Sequence, residues 1–236
     1  MILSIQRRAA KGVSVLANYT WSHCIDFQNT TNTNTVQAWA LSQLSHDRGD
    51  CELDRRHLFN LSTVYQTPRF SNPVLRLLAT DWQISGIVTV QSGPSMIILS
   101  GLDNALTGTT DQFPNLVLNN PFTANPGTAT RTWLSPVAFG QPALGTYGNL
   151  SPGSIHGPGL FDIDMALSRI FRVKERVSLE FRAEAFNLMN HVNPGDPANT
   201  GTLPGGVDVT LTDANFGKIV SALDPRIMQV AMKVVF

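Results

Sequence analysis

The sequence has little charge: 14% of its 236 residues are Asp, Glu, Lys or Arg, against about a quarter in ordinary soluble domains. The 17 basic and 17 acidic side chains cancel, and no Lys/Arg cluster offers the electrostatic footprint that nucleic-acid phosphates demand. Nucleic acid is therefore excluded as a partner. Cysteine is scarce too. Cys24 and Cys51 are too few for a disulfide-built mini-scaffold, and neither stands in a spacing that holds zinc. Long apolar runs are also missing. Although 42% of the residues are apolar, no window approaches the ~18 uninterrupted apolar residues of a membrane-spanning helix. Arg7 and Arg8 follow a very short apolar run, the reverse order of a secretory signal peptide, so the chain itself is expected to carry no export address.

What the sequence does have is alternation. Val13, Val15, Ala17, Tyr19 and Trp21 share one parity, against Ser14, Leu16, Asn18, Thr20 and Ser22 on the other. The same period of two runs through Trp82, Ile84, Gly86, Val88 and Val90, where Ile87 is the one apolar intruder on the polar side. It recurs at Phe161, Ile163, Met165, Leu167 and Phe171 and again at Val177, Leu179, Phe181, Ala183 and Ala185. A two-residue period is the signature of a half-buried strand. Seven strands are predicted, at 2–8, 12–24, 55–68, 78–92, 160–172, 177–190 and 226–236.

The connections between these strands alternate short and long without exception. Outer-membrane barrels keep short turns at the periplasmic end and long loops outside, whereas a sandwich has no reason to keep its long loops at one end. The fold class expected is thus all-β, an antiparallel transmembrane β-barrel segment of about seven long strands. It reads as a single domain over 1–236. In lipid the greasy parity would face acyl chains, and Asp162, Asp164, Glu180, Arg182 and Glu184 would face a wet lumen. The alternative class is a soluble or surface-attached all-β binding module, adhesin or lectin-like, in which those charges would lie on a solvated face.

Barrels carry aromatic girdles at both interfaces. If the final strand descends to the periplasm, Tyr65, Trp82, Phe171 and Phe236 fall near the periplasmic edge, and Tyr19, Trp21, Phe59 and Phe161 near the outer edge. Arg169 shares the lipid parity, but lies near the lower interface, where a long cationic side chain can snorkel. The long connections, with Asn29-Thr30-Thr31-Asn32-Thr33-Asn34-Thr35, Asn119-Asn120-Pro121 and Asn193-Pro194-Gly195-Asp196-Pro197, have loop compositions rather than those of buried elements. The connection over 93–159 is too long for a passive turn.

Several stretches resemble the C-terminal barrel segment of TonB-dependent transporters of the Oar-like kind. They are Leu16-Ala17-Asn18-Tyr19-Thr20-Trp21-Ser22 with Ile25-Asp26, Leu53-Asp54-Arg55-Arg56-His57-Leu58-Phe59-Asn60-Leu61-Ser62, and Trp82-Gln83-Ile84-Ser85-Gly86-Ile87. Further on come Gly157-Pro158-Gly159, Phe181-Arg182-Ala183-Glu184-Ala185-Phe186-Asn187-Leu188-Met189-Asn190-His191, and Phe216-Gly217-Lys218-Ile219 leading to Asp224-Pro225-Arg226. The resemblance implies a location in the cell outer membrane and a barrel of about 22 strands with a plugged lumen, of which seven would be present here. No signal peptide, carboxypeptidase-like domain, plug or TonB-contacting segment is recognised, so a fragment is expected. Its partners would be outer-membrane lipid, the remainder of the barrel and plug, and TonB through the missing region. Proteins of this kind also end in an aromatic residue preceded by alternating apolar ones. Met228, Val230, Met232, Val234 and Phe236 match that ending, which the barrel-assembly machinery reads.

Few residues suggest chemistry. Asp47, Asp50, Glu52, Asp54 and His57 crowd together and offer oxygens to a hard cation, but not at the spacing of an EF-hand loop. Asp54-Arg55-Arg56-His57 reads better as a strand-entry motif in which an Arg and Asp pair across loop ends, with the second Arg, Arg56, and His57 at the lipid headgroup level. Ser22-His23 and Ser45-His46 are adjacent pairs, but strand neighbours point to opposite faces and no Gly-x-Ser-x-Gly elbow exists. Gly153, Gly157 and Gly159 form no phosphate-binding run. No enzyme activity and no cofactor or metal are expected. Cys24 and Cys51 lie at the two ends of the first long loop, where they could meet as a disulfide or stay as thiols.

Overall fold

A computed structural model describes residues 1–10, 12–27, 48–52, 54–110, 112–174, 177–195 and 206–236. The Asn29 to Thr35 run, Ser45, His46, Asp47, Asp196 and Pro197 lie outside the described residues. Among the described residues one large sheet dominates, with strands β1 (Ile2–Ala10), β2 (Val13–Trp21), β3 (His57–Gln66), β4 (Trp82–Gln91), β5 (Leu160–Lys174), β6 (Val177–Phe186) and β7 (Ile227–Val235). Every neighbour pair is antiparallel and sequential in the chain, so the sheet is an up-and-down meander. It is open: β1 and β7 are its two edges and do not pair with each other.

Register decides what the alternation means. Residues paired across antiparallel strands lie on the same face, and the pairing carries one parity through the whole sheet. Val13, Tyr65, Ile84, Leu167, Ala183 and Val230 form one continuous row. On the other face, Ser4, Asn18, Asn60, Thr89 and Asp162 form another. A slip of one residue in any pair would throw apolar side chains onto the polar face. Seven strands therefore share one greasy face and one largely polar face, the latter interrupted by apolar residues such as Leu16, Val64, Ile87 and Ile170.

Two predicted boundaries need correction. The strand expected from 78 begins at Trp82, because Pro73–Ala79 form a short helix, α1. Asn72 caps it, accepting the N–H groups of Val74 and Leu75, and Pro73 supplies a preset φ at its first turn. The strand expected to run to 190 ends at Phe186, because Asn187 and Asn190 adopt positive φ values of 48° and 51°, a region Asn tolerates better than most residues.

The buried core is not in the large sheet. It lies in the connections 92–159 and 187–226, which emerge at the same end and fold together into a cap. Met96, Ile98, Phe113, Leu134, Phe139, Val207, Val209 and Phe216 are all buried there. Leu99 binds Val209 and Leu211 through backbone hydrogen bonds of 2.9 and 2.8 Å, which stitches the two connections. Short strand pairs, such as Phe139–Gly140 on Asn115–Leu116 and Ile155–His156 on Ser95–Met96, complete the cap. The loop composition of these segments thus conceals a packed element.

Candidate functional site

The motifs singled out in the sequence converge on the seam between strand tops and cap. Asp54 is 2% exposed. Its Oδ1 accepts the backbone N–H of Cys24 at 2.8 Å, and its Oδ2 lies 3.3 Å from His23 Nδ1. Arg56 donates to Asp50 Oδ2 at 3.0 Å and lies 3.5 Å from Asp54 Oδ2. His156, from the second long connection, brings its Nε2 to 3.3 Å from the same Asp50 oxygen. Cys24 and Cys51 are joined in a disulfide, with Cα atoms 5.4 Å apart. Burial pushes the carboxyl of neighbouring Glu52 up.

This arrangement answers the cation question on chemical grounds. His23, Asp50 and Asp54 do bring possible ligand atoms together, but the guanidinium of Arg56 occupies the space among them and binds all three. The cluster is an ion-pair lock built from the Asp54-Arg55-Arg56-His57 motif. Its paired charges satisfy the requirement that buried carboxylates be compensated. His57 turns away from it and lies 2.7 Å from Tyr19 Oη. The Ser22 hydroxyl donates to Arg55 O at 3.3 Å.

The other motifs are clamps as well. Asn193 is buried, accepts the Phe161 N–H at 3.0 Å and donates to Phe161 O at 2.9 Å, which fixes the top of β5. Asn187 donates to His191 O and Asp224 O, closing the chain that leaves β6 onto the chain entering β7. Arg226 N–H donates to Asn190 Oδ1 at 3.1 Å in the same turn. In the cap, Phe216 meets Phe139 edge-on at 5.2 Å. Gly217 follows with φ 75°, and a Cβ there would press 2.6 Å from Leu134 O. Only glycine fits that close crossing. Gly157 N–H donates to Pro94 O at 2.8 Å, where the two ends of the 92–159 connection meet.

On the sheet, the register sorts the remaining residues. Tyr19, Phe59 and Phe161 fall in one row with Trp21 just beyond it, at the cap end of the apolar face. Tyr65, Trp82 and Phe171 gather at the opposite end of that face. Phe161 and Phe171 are ten positions apart on β5, about 33 Å along the strand, which a tilt of about 40° reduces to a height near the ~25 Å apolar band of a barrel. Asp162, Asp164, Glu180, Arg182 and Glu184 all lie on the polar face. Arg182 pairs with Glu184, which also accepts from Gln229 on β7. Asp164 accepts the Asn187 N–H, so it serves the clamp. Met228, Val230, Met232 and Val234, paired with β6 on one side only, stand on the edge strand's apolar face, all more than half exposed, and Phe236 beyond them is 95% exposed.

Comparison with known proteins decides between barrel and sandwich. A family model described as Outer membrane beta barrel domain matches residues 1–229. The chain belongs to that family. This outer-membrane barrel domain resides in the outer membrane. No curated protein and no solved structure matches the chain. No described helix is long and apolar enough to cross a membrane, and this domain crosses with strands instead.

Proposed function

We propose that this barrel domain is the C-terminal wall of a TonB-dependent outer-membrane receptor of the Oar-like kind, and that it conducts no chemistry of its own. The observation that carries the reading is the open sheet. Seven strands keep a single lipid-facing parity, yet β1 and β7 stay apart, and unpaired strand edges cannot be left in hydrocarbon. Further strands must close the wall. The resemblance to Oar-like transporters puts the complete wall at about 22 strands, a size at which the lumen is plugged, and a plugged, gated lumen is what TonB-dependent import requires. The motif residues support this, since Asp54, Arg56, Asn187 and Phe216 all serve to hold long outer loops rigidly over the wall. Substrate contacts would then fall to the cap and to the lumen charges Asp162, Glu180, Arg182 and Glu184. Met228, Val230, Met232, Val234 and Phe236 form the exposed row that the barrel-assembly machinery would engage before closure.

The test is the genomic reading frame. A frame continuous with Met1 that encodes a signal peptide, a plug and the missing strands supports the proposal. A frame that supplies closing strands but no plug overturns the TonB assignment while leaving the barrel intact.

A further inference from the structure

Helix α1 has no place in an ordinary periplasmic turn. It spans Pro73–Ala79, within the connection 67–81 at the end of the sheet opposite the cap. Val74, Leu75, Leu77 and Leu78 are 61%, 47%, 72% and 62% exposed. At 3.6 residues per turn these four fall within an arc of roughly 160°, with Arg76 opposite. Such a face left in water would be a liability.

The contacts of the helix place it. Trp82 Nε1–H donates to Leu78 O at 2.8 Å, and the Arg169 guanidinium donates to Leu77 O. Trp82 and Arg169 are cross-strand partners on the lipid-facing parity. The Arg169 guanidinium also lies over the rings of Trp82 and Phe171, at 5.1 and 4.5 Å from their centroids. The helix is therefore tied to the outside of the wall at the lower aromatic girdle, next to the apolar band. This also accounts for a charge on that parity of β5. Arg169 does not snorkel to water; it folds against two rings and holds a helix carbonyl.

From this we propose that α1 lies in the periplasmic leaflet of the outer membrane, with Val74, Leu75, Leu77 and Leu78 in the acyl region and Arg76 toward the headgroups. The occupant of its exposed face is phospholipid. Two features fit lipid. The apolar arc is continuous with the lipid-facing surface of the sheet. The end groups of the helix are also met by protein rather than left for water: Asn72 takes two N–H groups at the start, and Trp82 and Arg169 hold carbonyls at the finish. Interfacial helices combine such an apolar face with a basic residue on the other side. The inference rests on the outer-membrane location and not on TonB coupling.

The experiment places an environment-sensitive fluorophore at Leu77→Cys, with Ile163→Cys and Leu144→Cys as separate controls, in the complete barrel that carries this domain, any cysteine outside the domain replaced by serine, folded into phosphatidylcholine vesicles containing brominated lipids. Cys24 and Cys51 are bonded to each other, so labelling is confined to the new thiol. Ile163 lies within the apolar band on the apolar parity, below the upper aromatic row, and Leu144 is exposed on the cap. The Leu77 label is expected to emit blue-shifted and to lose most of its intensity, more to lipids brominated near the headgroup than to those brominated near the chain end. The Leu144 label stays unquenched. An unquenched, water-accessible Leu77 label beside a quenched Ile163 label overturns the proposal alone. A blue-shifted but unquenched Leu77 label means that protein covers the face, and overturns it too. If both labels escape quenching, the lipid-facing assignment of the sheet falls with it. Val74→Cys gives the same reading where Leu77→Cys fails to fold.

Discussion

Asp54 accepts the backbone N–H of Cys24 at 2.8 Å, so the charge that anchors the ion-pair lock also holds one end of the disulfide. Removing that carboxylate orphans the amide and leaves Arg56 with Asp50 and His23. Because Arg56 and His23 are partly exposed, the loss stays below that of a fully buried pair. Asp54→Ala is expected to destabilise the strand tops by about 1–3 kcal/mol. Faster reduction of the Cys24–Cys51 bond by a mild thiol, relative to the wild type, is the readout. Asp54→Asn keeps the acceptor and should lie between the two.

The disulfide itself spans 27 positions. In the chain-entropy model a loop of that length contributes about 3–4 kcal/mol. The double variant Cys24→Ser, Cys51→Ser should lower stability by that amount in urea titrations of the vesicle-bound protein. No change would mean that the ion-pair lock alone fixes the loop ends.

Asp103 organises the turn that follows it in the cap. It accepts the N–H groups of Thr107 and Gly108, each at 2.8 Å, and these bonds hold its carboxyl below the usual carboxylate range. A depressed folded pKa means that its stabilisation is present above the ordinary carboxylate range and is lost as pH falls through the depressed value. Protection of the Thr107 and Gly108 amides from hydrogen exchange should therefore drop on acidification. In Asp103→Asn it should lose that pH dependence.

The two faces of the sheet predict opposite tolerances. Leu167→Arg places a charge at mid-band on the lipid face and should cost about 2–4 kcal/mol. Thr89→Arg sits on the polar face, where Thr89 pairs with Asp162, and should leave the folded fraction nearly unchanged. Urea titration of the vesicle-bound variants separates the two cases.

Much of the wall was legible in sequence because each strand obeys a period of two, which depends only on near neighbours. Thus β5 and β7 match their expected spans within a residue or two. Helix α1 was missed although Asn72 and Pro73 are good helix-start signals, because its apolar residues, Leu77 and Leu78, lead directly into Trp82 and Ile84 and extend the strand pattern backward. The cap was hidden for a different reason. Its core draws Met96, Phe113, Leu134 and Phe216 from short segments far apart in sequence, and no local period announces such a core. An Arg–Asp pairing within the Asp54-Arg55-Arg56-His57 motif was anticipated by residue type, but the second Arg was expected at the headgroups, whereas it is Arg56 that pairs with Asp50 and Asp54. The arrival of His156 from the next long connection was not anticipated, since nothing in its own neighbourhood marks it.

The claim on which everything rests is that one parity of the sheet faces lipid and the other faces water. A nitroxide scan along 161–171 of β5 in vesicles, reading accessibility to oxygen and to a water-soluble nickel chelate, tests it most directly. The account predicts oxygen maxima at 163, 165 and 167 and chelate maxima at 162, 164, 166 and 168. A sheet whose apolar face is covered by protein would give 163, 165 and 167 inaccessible to both reagents, and that result would contradict it.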